Sequence, residues 1–493
     1  MRWKVYALLG VMAGVFGCGG AGAGPAAGGK STLPEQQRSG KTSTSGADIS
    51  KQAAQGYKQA LAEFIKHDQA YDWAPDTCKA SAQSFVTVSQ QQQQDSGKPL
   101  PEALYNAGLA YMRCGLEEEA SAQFQAASKA GQGFHRARTQ IALFEYKKSG
   151  DLNAAITSLE QIIRDAKFQN VEALVSVAAL QMERGNNTED ADGANDLERA
   201  KKNIQRALAI DDAFMPAMNQ LAIYYMEIAK QKAGDAPAGR RRGGGLVVAG
   251  AAHAQANRQQ LELAMLVASQ GVQRDPKYAP LYNTAGLIQV ELRDYNGAVK
   301  SFRSARTLDP NFFEAHMNYA AVNLSFRGFG EAEKAYRDAL RLQPKDYEAH
   351  LGLALALRGE INDSNYDTVL AEAQKQLAEC KQLDGDRAEA YYNEAILTQE
   401  YEAKGGDSTK TIPALKSAVA KYREFIGKAK GRAAYAEAVK RSGERAKDIE
   451  DTIKFIEDGE KLRIEQEEID KKAKEAEQKQ GAAQPGGEPA STK

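Results

Sequence analysis

Few side chains in this sequence stand where they could do chemistry. Its 493 residues include four cysteines and five histidines, which argues against a zinc finger, a disulfide-dense scaffold or a metal cluster. Gly24-Pro-Ala-Ala-Gly-Gly29-Lys30-Ser31 spells the P-loop pattern letter by letter. Such a loop holds phosphate only where it joins a buried strand to a helix whose first amides face the anion. Here the surroundings are Gly/Ala-rich, no strand pattern precedes it and Pro34 follows closely, so no nucleotide is expected. HExxH, GxSxG and CxxC are absent, and no Ser/His/Asp set is evident. The chain is therefore expected to be neither an enzyme nor the holder of a metal or cofactor. The densest positive run, Arg240-Arg241-Arg242, sits in a Gly/Ala-rich insertion near 234–253. It reads either as a solvated loop or as a docking site for an acidic partner or an anionic headgroup. With 64 basic and 65 acidic residues the net charge is −1, which argues against nucleic acid as a partner.

The elements that carry these residues emerge from self-comparison at a shift of 34. Ala298 falls on Ala332, Phe302 on Tyr336, Ala305 on Ala339, Leu308 on Leu342 and Pro310 on Pro344. Ala298, Phe302 and Ala305 are spaced i, i+4, i+7, one face of a helix. Small residues there let a neighbouring helix approach while the ring fills the gap, and Pro310 ends the unit because it disfavours helix in the residue before it. Residues 102–130 repeat the pattern with Ala107, Gly108, Ala120, Phe124 and Ala127, and weaker copies run from 135 to 428. The pattern resembles the tetratricopeptide (TPR) repeat, over about three quarters of the chain.

The resemblance implies an all-α superhelical solenoid of seven to nine antiparallel helix pairs over 51–430, with the first helix of each pair lining a concave groove. Groove positions 5, 9 and 12 of the best repeats are Tyr105, Leu109 and Met112; Asn283, Leu287 and Val290; and Met317, Ala321 and Leu324. This face is apolar with polar punctuation and suits an amphipathic helix or an extended peptide. Asn106, Asn219, Asn283, Asn318 and Asn393 lie on or beside it; their amides either pair with a bound peptide backbone or order the helix pairs. His316 and His350, 34 residues apart, fall at position 4 of consecutive repeats. Stacked equivalents lie about 10 Å apart, too far to share one ion, so both read as packing residues. Cys78 begins the second helix of one pair and Cys114 ends the first helix of the next, so start meets end. In an oxidising compartment they would join as a disulfide, the alternative being two separately buried thiols. Cys380 takes a small core position and reads as buried and inert.

The termini read as addresses and caps. Arg2 and Lys4 precede an apolar run, Val5 to Phe16, too short for a permanent span. It ends at Val15-Phe16-Gly17-Cys18, which resembles a bacterial lipobox. That resemblance implies a signal peptide over 1–17, a lipid anchor on Cys18 and, with Gly19 rather than Asp behind it, the periplasmic face of the outer membrane. Residues 18–50 read as a Gly/Ala/Ser tether. A charged helix over 431–480, with Ile449, Ile453 and Ile456 as a stripe, is expected to cap the solenoid, and 481–493 to be disordered. In layout the whole resembles the TPR lipoproteins of bacterial gliding-motility complexes. That implies a non-enzymatic scaffold for protein partners of the cell envelope. Two other readings stay open: a pilotin-like or assembly lipoprotein for a secretin, pilus or barrel protein, and an accessory factor of a cell-wall enzyme.

Overall fold

The computed structural model of the chain describes residues 42–70, 72–185, 193, 195–234, 247–403 and 408–481. The lipobox with Cys18, the Gly24–Ser31 pattern and Arg240-Arg241-Arg242 lie outside the described residues. So do the first part of the expected tether and the tail beyond 481.

Nineteen α-helices occur among the described residues, consecutive helices forming antiparallel pairs. The chain divides into two compact units, Met1–Tyr319 and Ala320–Lys493. The first unit holds α1 (Lys51–Ala70), α2 (Pro75–Ser96), α3 (Pro101–Met112), α4 (Glu117–Ala130), α5 (His135–Ser149) and α6 (Leu152–Asp165). It continues with α7 (Val171–Arg184), α8 (Asp196–Ile210), α9 (Met215–Gly234), α10 (Val247–Arg274), α11 (Ala279–Glu291) and α12 (Tyr295–Leu308). The boundary falls inside α13 (Phe313–Ser325). The second unit continues with α14 (Phe329–Leu342), α15 (Tyr347–Glu360), α16 (Tyr366–Leu383), α17 (Glu389–Leu397), α18 (Ser408–Ala429) and α19 (Ala436–Gly481).

Local chemistry explains where these helices start. Asp151, Asn170, Asn195, Asp294 and Asp346 stand at N-caps, and each accepts a hydrogen bond from the amide three residues on. Each such cap is worth about 1 kcal/mol. Within a pair, small residues and rings set the spacing. A Cβ on Gly108 would come within 2.6 Å of the Phe124 ring, and one on Gly286 within 2.5 Å of Phe302. The glycines thus let α3 and α11 lie against their partner helices, and burying each ring contributes about 2–3 kcal/mol. Ala298, Ala305, Ala332 and Ala339 are wholly buried, as the 34-residue pattern predicts. At the tight turn inside a pair the chain goes left-handed: Gly115 and Gly150 do so at φ 67°, while Arg293 and Arg327, 34 residues apart, do so at φ 62° with side chains attached.

The first unit is packed more closely than an open groove would be. Every residue of α7 from Glu172 to Gln181 is buried, so that helix is covered on all its faces. Residues 42–50, read from composition as the end of the tether, are held in place. Thr44 N donates to Glu102 Oε1 at 2.8 Å, Ser43 Oγ to Glu102 Oε2 at 3.3 Å and Lys98 Nζ to the Ser45 carbonyl at 3.1 Å. Gln92 bonds the backbone of both Asp48 and Ser50.

Candidate partner-binding surfaces

The inner row begins at α3. Tyr105 Oη donates to Glu172 Oε2 at 3.0 Å and accepts from Gln140 Nε2 at 3.4 Å. Arg136 Nε donates to Glu172 Oε1 at 2.9 Å, its Nη2 donates to the same oxygen, and the guanidinium lies 4.8 Å from the centre of the Tyr105 ring. Three first helices, α3, α5 and α7, are thereby joined by one polar knot. Burial, then the Glu172 charge, raises the pKa of the Tyr105 hydroxyl. Burial opposes the Arg136 charge, but the Glu172 carboxylate more than offsets it, so this guanidinium is held cationic. The Glu172 side chain is 6% exposed and that of Arg136 45%. The knot therefore turns one edge of a fixed, stacked guanidinium toward solvent, where it can meet a carboxylate or a backbone carbonyl.

The eleven residues assigned to the groove divide sharply. Tyr105, Leu109, Asn283, Leu287, Met317 and Asn318 are buried between helices, while Asn106, Met112, Val290, Ala321 and Leu324 remain half-buried. The asparagines span neighbouring first helices. Asn106 Nδ2 donates to Tyr57 Oη at 2.8 Å, Thr284 Oγ1 to Asn219 Oδ1 at 2.7 Å and Asn318 Nδ2 to Asn283 Oδ1 at 2.9 Å. In the second unit Arg358 Nη1 donates to Asn393 Oδ1 at 3.2 Å. These bonds serve the ordering role of the two read from the sequence.

The histidines bond the repeat boundary. His316 Nε2 donates to the Pro310 carbonyl at 2.9 Å and His350 Nε2 to that of Pro344 at 3.0 Å. Tyr282 Oη does the same to Pro276 at 3.1 Å. Position 4 thus closes the turn before it in three consecutive repeats. Cys78 and Cys114 are joined as a disulfide, with Cα atoms 6.3 Å apart. Cys380 is fully buried, its Sγ 3.6 Å from the Tyr347 carbonyl, and burial pushes its thiol up to about 12, away from thiolate chemistry. The Arg387 guanidinium lies 3.7 Å from the Tyr347 ring centre, and its Nη2 donates to Glu348 at 2.8 Å and Glu389 at 3.0 Å. This joins α15 to α17 in the second unit.

One surface was not anticipated from the sequence. Between α6, α7 and α8 lies a small cleft of about 60 Å³ whose lining includes Glu160, Phe168, Gln181, Lys202, Asn203 and Arg206. Through it runs a directed chain: Arg206 Nη1 donates to Asn203 at 3.2 Å, Asn203 to Gln181 at 3.1 Å and Gln181 to Glu160 at 3.2 Å. The available signal was Arg199, Lys202 and Arg206 at i, i+3, i+7 on one helix face. No group of three or more metal-ligating side chains that could hold an ion, and no helix long and apolar enough to cross a membrane, occurs among the described residues.

The tetratricopeptide repeat family model matches residues 101–130 and 279–312, the two stretches where a position-8 glycine meets a ring. The chain carries tetratricopeptide repeats. No curated protein matches it significantly. Solved structures similar to it include TTC0263, a thermophilic TPR protein of Thermus thermophilus. That likeness is 23% identical, covers 45% of this chain and 99% of that one, and has a TM-score of 0.36. A tetratricopeptide repeat protein from Parabacteroides merdae is 14% identical over 63% of this chain and 99% of its own, at 0.35. Pseudomonas aeruginosa pilF is 18% identical over 52% and 96%, at 0.35. The repeats imply protein partners.

Proposed function

We propose that this chain is a non-enzymatic scaffold, held at the periplasmic face of the outer membrane by a lipid on Cys18. Its repeats would bind protein partners of an envelope-spanning machine, a gliding-motility complex in the layout it resembles. The observation that carries the binding half of this reading is the surface left open on the first helices. Asn106, Met112 and Val290 are half-buried, and the Arg136 guanidinium is fixed from behind by Glu172 with one edge outward. An extended or helical peptide can seat apolar side chains on the former and a carboxylate or carbonyl on the latter. The anchor half is supported by Val15-Phe16-Gly17-Cys18 at the end of an apolar run.

Two experiments test the halves separately. A photo-crosslinking residue at Met112 or at Val290 should capture the same envelope protein in living cells. The same residue at Lys202, in the cleft on the other side of the pairs, should not, and absence of any adduct at both inner sites overturns the binding reading. A Cys18→Ala variant should leave the membrane fraction, and its persistence there after a salt wash overturns the anchor. Failed secretin, pilus or barrel assembly on deletion, with motility unchanged, would assign the chain to assembly of those structures instead.

A further inference from the structure

The last helix is far longer than its cap requires. Ala446, Ile449 and Ile453 bury one stripe of α19 with α18. The ion pairs Arg423–Glu450 and Lys416–Glu457, the latter at 3.0 Å, complete the contact. The helix then continues to Gly481, with every residue from Lys461 to Ala476 exposed. Those last 24 residues beyond Glu457 project about 36 Å. Apolar residues nonetheless recur on this stretch at intervals of seven: Phe455 is 80% exposed, Leu462 67% and Ile469 58%. Gly459, Gln466 and Ala473 fall four residues after each of them. Alternating steps of four and three along one stripe are the seam of a two-stranded coiled coil.

We propose that this free half of α19 pairs antiparallel with the same segment of a second copy of the chain. The flanking charges select both occupant and direction. With Leu462 set against Ala473 of the second copy and Ile469 against Gln466, Glu465 faces Lys472 and Arg463 faces Asp470. Each of these opposite-sign pairs occurs twice by symmetry. A parallel pairing would keep two opposite-sign contacts, Asp458 with Arg463 and Lys472 with Glu477, but would set Glu465 against Asp470, a like-charge contact that the reversed pairing avoids. A surface whose charges complement themselves when reversed fits its own copy better than an arbitrary helix. The two-fold axis falls between residues 467 and 468, so the overlap runs from 458 to 477. It begins where the contact with α18 ends at Glu457, and the repeats of the two copies lie at opposite ends of the pair. Arg463 already bonds Glu460 and Glu467 on its own helix and so arrives oriented. The seam carries Gln466 and small residues, which sets register at the cost of strength.

The test uses the full chain with Cys18→Ala, so that no lipid drives association, in sedimentation equilibrium over a range of concentrations. The mass should climb from one chain toward two. Glu465→Lys and Lys472→Glu should each weaken association about tenfold or more, and the double charge swap should restore it. All these sites are exposed, so circular dichroism at a concentration where the parent is itself a single chain should not move. Direction is read from cysteines: Leu462→Cys mixed with Ala473→Cys should give a mixed disulfide, while Leu462→Cys alone should give none, its two copies lying about 16 Å apart along the axis. A single-chain mass throughout, a charge swap that fails to restore association, or a Leu462→Cys self-disulfide would each overturn the proposal.

Discussion

Glu314 shows how much one carboxyl can weigh. It is buried in the first turn of α13, and burial, with Asp309 beside it, raises its pKa from an ordinary 4.5 to about 7. Between those values the folded chain keeps a proton that the unfolded chain has lost, so stability falls as pH rises through that window, by about 3 kcal/mol in all. Glu314→Gln should abolish that slope: its urea midpoint should equal the parent's near pH 4.5 and exceed it at pH 8. An Arg136→Ala variant probes the knot under the inner row. It leaves the Glu172 carboxylate buried without its cation and should cost about 2 kcal/mol, discounted for the exposed half of the arginine, whereas Glu172→Gln should cost about 1. Denaturation midpoints should rank the two in that order. Neither effect was legible in the sequence. Tyr105, Arg136 and Glu172 are separated by 31 and 36 positions, and a pattern that repeats alanines says nothing of which long polar side chains meet.

At the scale of elements the sequence was far more transparent. Helix pairs could be read because the alanines and rings that space them recur every 34 residues, and the structure shows those residues buried in the pairs. Helical phase tells which face a residue occupies but not how closely the next helices approach. That is why Leu109, Leu287 and Met317 were expected on an open wall and are instead packed away. Ser/Thr-rich composition likewise could not show that residues 42–50 find fixed acceptors on Glu102 and Gln92. The turns inside the pairs hold a further prediction. Arg327 takes a left-handed backbone at φ 62° where other repeats place glycine. Arg327→Gly should relieve that conformation, partly offset by the greater freedom of glycine in the unfolded chain, for a net gain of up to about 1 kcal/mol. A lower melting temperature would show that the Arg327 side chain contributes more than its backbone costs.

At the scale of the molecule, a repeat array transmits stability chiefly between neighbours, so a local bond protects a local segment. The Cys78–Cys114 bond closes a loop across 36 positions and should be worth about 3–4 kcal/mol to the first two pairs. With both cysteines changed to alanine, hydrogen exchange should accelerate in α1 to α4 and stay unchanged in the second unit. Uniform acceleration along the chain would mean that the array melts as one block. Within the first unit, burial raises the pKa of Asp309, in the turn before α13, while Arg113 and Asp68 from the first pairs act on it electrostatically in opposite senses.

The same sulfur bridge changes what a protease can accomplish. Its two anchors lie on either side of the connection between α2 and α3, residues 97–100. A single nick there would cut the backbone without releasing either fragment. The clipped protein would run as one band until a thiol reagent is added and as two afterwards, its first helices staying covalently attached until that bond is reduced.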